Sequence, residues 1–126
     1  GQRLLGGASI LLVGASAAGT ETAKNLVLPG VGSVHVVDDA AAHAGDANFF
    51  VLPADVGRSR ADAARDSLAE TNPDVRCTSA REHDLSSLPD RRWRELATGR
   101  ALAVAADLPL GAARGLARAC VACGIP

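Results

Sequence analysis

The sequence contains no methionine, no tyrosine, one tryptophan and two phenylalanines in 126 residues. Without a methionine, the chain is expected to be a processed or partial sequence. Without a tyrosine, no phenolic general acid is available, which argues against the chemistry of short-chain dehydrogenases. The scarcity of aromatics leaves no platform for stacking bases. With a formal net charge of -1 and no basic stripe, nucleic-acid binding has no support. No apolar run approaches the roughly eighteen residues that a membrane-spanning helix needs. The opening Gly1-Gln2-Arg3-Leu4 has the pattern of neither a signal peptide nor a transit peptide.

What the chain does have is alanine. Hydrophobic residues make up 48% of the sequence, enough for a globular core, but few of them are large. Little side-chain area is therefore available to bury, and the fold is expected to lean on a partner subunit or on flanking sequence. The length suits a single domain over residues 1–126. Cys77, Cys120 and Cys123 are odd in number, with no secretory leader, so they read as reduced and intracellular.

Hydrophobic patterning predicts alternating strands and helices. Ser9 to Val13 is a short apolar run that suits a buried parallel strand. Gly14 to Gly19 is a tight loop of small residues, and from Thr20 a helix carries Ala23, Leu26 and Val27 on one face. Pro29-Gly30 and Gly32 end that helix. Val34 to Val37 is a second strand, closing at Asp38-Asp39. Residues 40–47 read as a loop. Helices are then expected over Arg58 to Glu70, Leu88 to Thr98 and Ala112 to Cys123, the last capped by Gly124. Strands are expected over Val75 to Thr78 and Ala101 to Ala106, with Ile125-Pro126 opening another. This is the pattern of an α/β, Rossmann-like, doubly wound and mainly parallel sheet. Its ligands would sit at the carboxyl ends of the strands.

The loop after the first strand is the place to look for phosphate. A dinucleotide fingerprint uses one glycine for the turn, one for close approach of the phosphates, and one for packing helix on strand. Gly14 and Gly19 fill the first and third places, but Ser16 and Ala17 stand in the middle. The Cβ of Ser16 crowds the approach without forbidding it, and the helix amino end remains an anion site in principle. Asp38, at the end of the second strand, is placed to bond a ribose hydroxyl of NAD or ATP. Two readings stand side by side here: a working nucleotide site, or glycines that merely build a turn beside acids that cap a strand in solvent.

Other motifs fail. Gly14-Ala15-Ser16-Ala17-Ala18 lacks the final glycine of a nucleophile elbow. Cys120 and Cys123 have metal-like spacing without a second pair, inside a predicted helix, and read as small core residues. His35, His43 and His83 have no ligand-like neighbours and read as structural or solvated.

The stretch from Gly14 to Ala64 resembles the adenylation-domain superfamily that includes ThiF, MoeB and the ubiquitin-like-modifier-activating enzymes. The likeness lies in Gly19-Thr20-Glu21, in the run from Ala23 to Ser33 (AKNLVLPGVGS), in Asp38, in Asn48-Phe49-Phe50, and in Gly57 to Ala63 (GRSRADA). Within the superfamily the wording looks most like the regulatory-subunit branch of the neddylation-activating enzymes, although the loop between Asp38 and Asn48 is shorter than that branch leads one to expect. After Thr78 the likeness weakens to spacing and the terminal Gly-Ile-Pro.

The resemblance implies a ThiF-type NAD/FAD-binding fold. It also implies that active relatives adenylate the carboxyl-terminal glycine of a modifier with ATP and magnesium. Relative to their loop pattern, this chain lacks both middle glycines. It has Phe49 near the position of their arginine and Arg60 in place of their lysine. Asp38 and Asp107 match their acids, the latter near magnesium. The implied role is therefore the non-catalytic half of a heterodimer, with no catalytic residue and no metal ligand in this chain. Gly14, Gly19 and Asp38 would be a vestigial cofactor site. No cofactor is expected on this chain, and ATP and magnesium would be bound by the catalytic partner. The partners would be that catalytic subunit and a ubiquitin-like modifier, in the cytoplasm or nucleus. A Tyr-Asp-Arg-type motif that such subunits contribute to the partner's ATP site would lie upstream of Gly1. The alternatives are a SUMO-type activating-enzyme subunit, an NAD-dependent Rossmann oxidoreductase using Gly14, Gly19 and Asp38, and a bacterial-type adenylyltransferase.

Overall fold

The computed structural model describes residues 7–41 and 57–126. Four strands form one parallel sheet: β1 (Ser9–Val13), β2 (Ser33–Asp38), β3 (Arg76–Arg81) and β4 (Leu102–Ala105), in the spatial order β3-β2-β1-β4. The connections run through α1 (Ala17–Val27), α2 (Arg60–Thr71) and α3 (Asp90–Ala97), and α4 (Leu110–Cys123) follows β4. A short 3-10 turn, Leu85–Ser87, precedes α3. The chain winds outward from β1 to β2 and β3, then returns to the far side of β1 for β4. That reversal makes the crevice between the carboxyl ends of β1 and β4 the switch point where α/β sheets bind ligands. The expected Rossmann-like architecture is present.

A parallel sheet is covered on both faces, so its strands need apolar residues at successive positions rather than at alternate ones. Ile10 to Val13 are all buried, as are Val34, Val36 and Val37. Ile10, Leu12, Val34 and Val36 pack beneath α1 and α2 against Ala23, Val27, Ala61, Ala64 and Leu68. Leu11, Val13 and Val37 point the other way, toward Trp93, Leu96, Ala112, Leu116 and Ala119 of α3 and α4. Alanine on the inner faces of α1 and α2 lets these helices lie close to the strands, which is how so few large side chains fill two layers.

Trp93 is 1% exposed, and it occupies the space opposite Gly115. A Cβ on Gly115 would collide with the indole Nε1 and Cδ1, so this glycine sets how closely α3 approaches α4. The end of α4 follows its sequence signal: Gly124 takes a left-handed conformation (φ 70°) and its N–H meets the carbonyls of Cys120 and Val121. Among the described residues, no helix is long and apolar enough to cross a membrane.

Several boundaries differ from expectation. The first helix starts at Ala17, not Thr20, because the small residues after Ser16 form its first turn. The third strand runs to Arg81 rather than stopping at Thr78, since parallel pairing with β2 continues through Asp38↔Arg81. The last helix begins two residues early, at Leu110 after Pro109. Ile125-Pro126 forms no strand, although the Ala103 N–H donates to the Pro126 carbonyl at 3.3 Å. Of the two helical cysteines, half-buried Cys120 packs against the core as expected, while Cys123 is exposed and does not.

Replacing Gly115 with alanine tests the α3–α4 packing. The overpacked variant should lose about 1–3 kcal/mol of unfolding free energy in urea titration. An unchanged midpoint would mean that Trp93 does not sit where the structure places it.

Candidate functional site

At the switch point the β1–α1 loop is packed on the end of β4. Gly14 has φ 92°, and a Cβ there would strike the Ala106 carbonyl oxygen. Its N–H donates to Val37 at 2.9 Å, tying the turn to β2, while the Ala106 N–H donates to Val13 at 3.1 Å. A Cβ on Gly19 would come within 2.5 Å of the Gly14 carbonyl and 2.9 Å of the Ala106 Cβ. Both glycines thus have packing reasons to be glycine.

Ser16 bonds within the first turn of the helix. Ser16 is the N-cap of α1, with its backbone extended (φ -72°, ψ 171°), and its hydroxyl accepts from the Gly19 N–H at 3.3 Å. The Ser16 carbonyl accepts from the Thr20 N–H at 2.9 Å and from the buried Thr20 hydroxyl at 2.8 Å. The position where a fingerprint glycine would open the backbone to phosphate instead carries a side chain that caps the helix from within.

Asp38 is 1% exposed, so its carboxylate is not a strand cap in solvent. Its Oδ2 accepts from the Ala15 N–H at 2.6 Å and from Arg60 Nε at 2.9 Å, and Arg60 Nη2 lies 2.7 Å from the same oxygen. Its Oδ1 accepts from the Ala40 N–H at 2.9 Å. An ionised carboxylate offers about four acceptor positions. Among the described residues four N–H groups meet it, three at Oδ2 and one at Oδ1. Arg60 is in turn held through its backbone, its N–H donating to the Ala40 carbonyl at 2.9 Å beside an isolated bridge between Ala41 and Ser59. Arg60 opens α2, where the helix dipole disfavours a cation by a few tenths to about 1 kcal/mol. The bond to Asp38 outweighs that cost.

The other candidates do not converge on this point. Asp107 follows β4 at the mouth of the crevice, exposed, with φ 53°. Asp39 is directed elsewhere and accepts from the Leu85 N–H at 2.9 Å. Phe49, with Asn48, Phe50 and His43, lies outside the described residues. His83 is exposed, and His35 sits on β2 with its Nδ1 2.7 Å from the Thr78 hydroxyl. Burial, then the charges of Arg100 and Arg92, depress the His35 pKa against a smaller upward pull from Glu82. Arg58, another residue of the family-like stretch, donates to Asp66 at 2.8 Å, and this bond leads the causes that lower the Asp66 pKa. Among the described residues no group of three or more His, Cys, Asp or Glu is placed to hold a metal ion.

A carboxylate grips a vicinal diol through both of its oxygens, and Oδ2 of Asp38 is already met by Ala15 and by two nitrogens of Arg60. Sequence reasoning marked Asp38 and the two glycines. It missed that Arg60, 22 residues away, would fill the site; the only signal was an arginine where active relatives have lysine.

Two outcomes are expected. Asp38→Ala removes the buried acceptor of the Ala15 and Ala40 N–H groups and of Arg60, and should cost about 3–5 kcal/mol in chemical denaturation. The double variant with Arg60→Ala should cost clearly less than the sum of the two single ones; additivity would show that the pair does not interact. His35 has a folded pKa below its unfolded value, so the native state favours the neutral ring. Its contribution is fully present above about pH 6.5 and is lost as pH falls through the folded pKa. The slope of stability against pH in that interval should shrink in His35→Gln.

Known proteins resemble this chain in sequence and in fold. The chain is 46% identical over 77 residues to the NEDD8-activating enzyme E1 regulatory subunit of Caenorhabditis elegans, and 44% identical over 77 residues to that of Danio rerio. Each alignment covers 60% of this chain and 14% of the relative, so the chain corresponds to a small part of those proteins. It is also 37% identical over 91 residues to the probable adenylyltransferase/sulfurtransferase MoeZ of Mycobacterium tuberculosis, covering 71% of this chain and 22% of that one. In fold it matches the E. coli tRNA N6-threonylcarbamoyladenosine dehydratase TcdA, whose structure in complex with ATP superposes with TM-score 0.85 at 20% identity over 99% of this chain and 51% of that one. The ThiF family model matches residues 1–126, and the chain belongs to the ThiF family.

Proposed function

We propose that this chain is the adenylation-like part of the non-catalytic, regulatory half of a heterodimeric activating enzyme for a NEDD8-type modifier. It pairs with a catalytic subunit that uses ATP and magnesium to adenylate the modifier. What supports the identity is the resemblance of about 45% over 77 residues to regulatory subunits of that enzyme in animals. What supports the absence of catalysis is the filling of the crevice by the chain's own groups. Asp38 is met by Ala15, Ala40 and Arg60, and the loop is capped by Ser16. The single observation that carries the reading is the Arg60–Asp38 contact, 2.7 Å from Nη2 to Oδ2, in the place where a ribose would be held.

On this reading Gly14, Gly19 and Asp38 are a vestige kept for packing, and the chain binds neither ATP nor magnesium. It works in the cytoplasm or nucleus, where modifier activation takes place. The scarcity of large apolar side chains is consistent with a fold that gains stability on pairing, by the linkage that raises melting temperature whenever a partner binds only the native state.

The likeness to MoeZ favours a second reading, an adenylyltransferase with its own nucleotide site. Reconstitution separates the two. The full-length polypeptide containing this chain is added to a catalytic subunit, modifier, ATP and magnesium, and the modifier thioester is followed. Thioester should form only when both polypeptides are present. Equal thioester formation without the polypeptide, or adenylate formation by it alone, would contradict the pairing role.

A further inference from the structure

We propose that Arg60 is the specificity-determining residue that closes this crevice to nucleosides, by standing as a built-in competitor for the vicinal diol of a ribose. This rests on the reading of the chain as a non-nucleotide half, and names the group responsible. The damaged glycine loop alone does not account for exclusion, since phosphate and ribose are held by different parts of such a site and the ribose acceptor, Asp38, is retained. What removes it from use is occupancy. Arg60 directs Nε and Nη2 at Oδ2 (2.9 and 2.7 Å), which also receives the Ala15 N–H, while Oδ1 takes the Ala40 N–H.

The competitor is well placed to win. A guanidinium is permanently charged and here brings two donors of one planar group to a single oxygen, whereas a diol delivers two neutral ones. It is also tethered: the Arg60 backbone N–H bonds Ala40, two residues from its target, so its effective concentration is that of an intramolecular ligand. A free nucleoside would have to displace a charged, tethered donor from a carboxylate that is 1% exposed. The Ala15 bond fastens the β1–α1 loop to β2 through the same oxygen, so the closed state and the fold of the loop are one arrangement.

Removing the competitor should uncover the acceptor. Arg60→Ala and Arg60→Gln are prepared beside the unaltered protein, and cooperative melting identifies the folded variant; Gln keeps a polar stem and guards against a failure of Ala to fold. Adenosine and 2′,3′-dideoxyadenosine, which lacks the diol, are titrated while amide resonances are followed by NMR. The unaltered protein should show no saturable response to either. A folded variant should bind adenosine with a dissociation constant on the order of 1 mM and the dideoxy compound about tenfold more weakly. The proposal is overturned if folded variants bind neither nucleoside, if they bind both equally, or if the unaltered protein binds adenosine as well as they do. Either of the first two with thioester formation still dependent on the full-length polypeptide removes the role of Arg60 and leaves the pairing reading standing, whereas the third also removes the reading that this chain binds no nucleotide.

Discussion

A carboxylate buried at the end of a β-strand must find donors, because an isolated charge in that environment is too costly to keep. Asp38 finds them in three segments of this chain. The turn after β1 supplies Ala15, the residues after β2 supply Ala40, and the first residue of α2 supplies Arg60. One side chain thereby fixes the relative positions of the glycine loop, the second strand and the second helix. Much of the carboxyl end of the sheet follows from this constraint. Gly14 can lie against Ala106 because the turn is pinned from the β2 side, and α2 can begin with an arginine because its charge is met at once.

The same arrangement links fold to function. Crevices at switch points bind ligands because backbone N–H groups and a strand-end acid are left facing open space. Here three of the loop's N–H groups are bonded within the chain. The N–H of Ala15 is turned to Asp38, that of Gly19 to the Ser16 hydroxyl, and that of Thr20 to the Ser16 carbonyl. This ThiF-family chain keeps the scaffold of the family while Asp38, the acid at the end of β2, is met by N–H groups of the chain itself.

How much of this could be read beforehand depended on distance along the chain. β1 was legible because a strand buried on both faces is an unbroken apolar run, as in Ile10 to Val13, and β2 because valines flank His35 on both sides. The Gly14 turn was legible because its conformation demands glycine. The second half of β3 was not, since Ser79, Ala80 and Arg81 are small or polar residues at a sheet edge, and only pairing with β2 makes them strand. The start of α1 was misplaced because Ala17 and Ala18 look alike in a loop and in a first helical turn, and Ser16 declares itself a cap only once its hydroxyl is seen on Gly19. The Asp38–Arg60 contact spans 22 residues with a loop between, and nothing in local pattern indicates it. The family resemblance drew attention to Arg60 as a departure from lysine; the geometry supplied the physical consequence.

The central claim is that the crevice is satisfied by the chain's own groups, and its most direct test follows the Ala15 amide. The protein is titrated with ATP and magnesium while the Ala15 and Arg60 Nε resonances are monitored. Both should stay in place through millimolar nucleotide, with the Ala15 amide protected from exchange by its bond to Asp38. A saturable shift of either resonance, with loss of that protection, would show that the nucleotide displaces Arg60 and that the site is open.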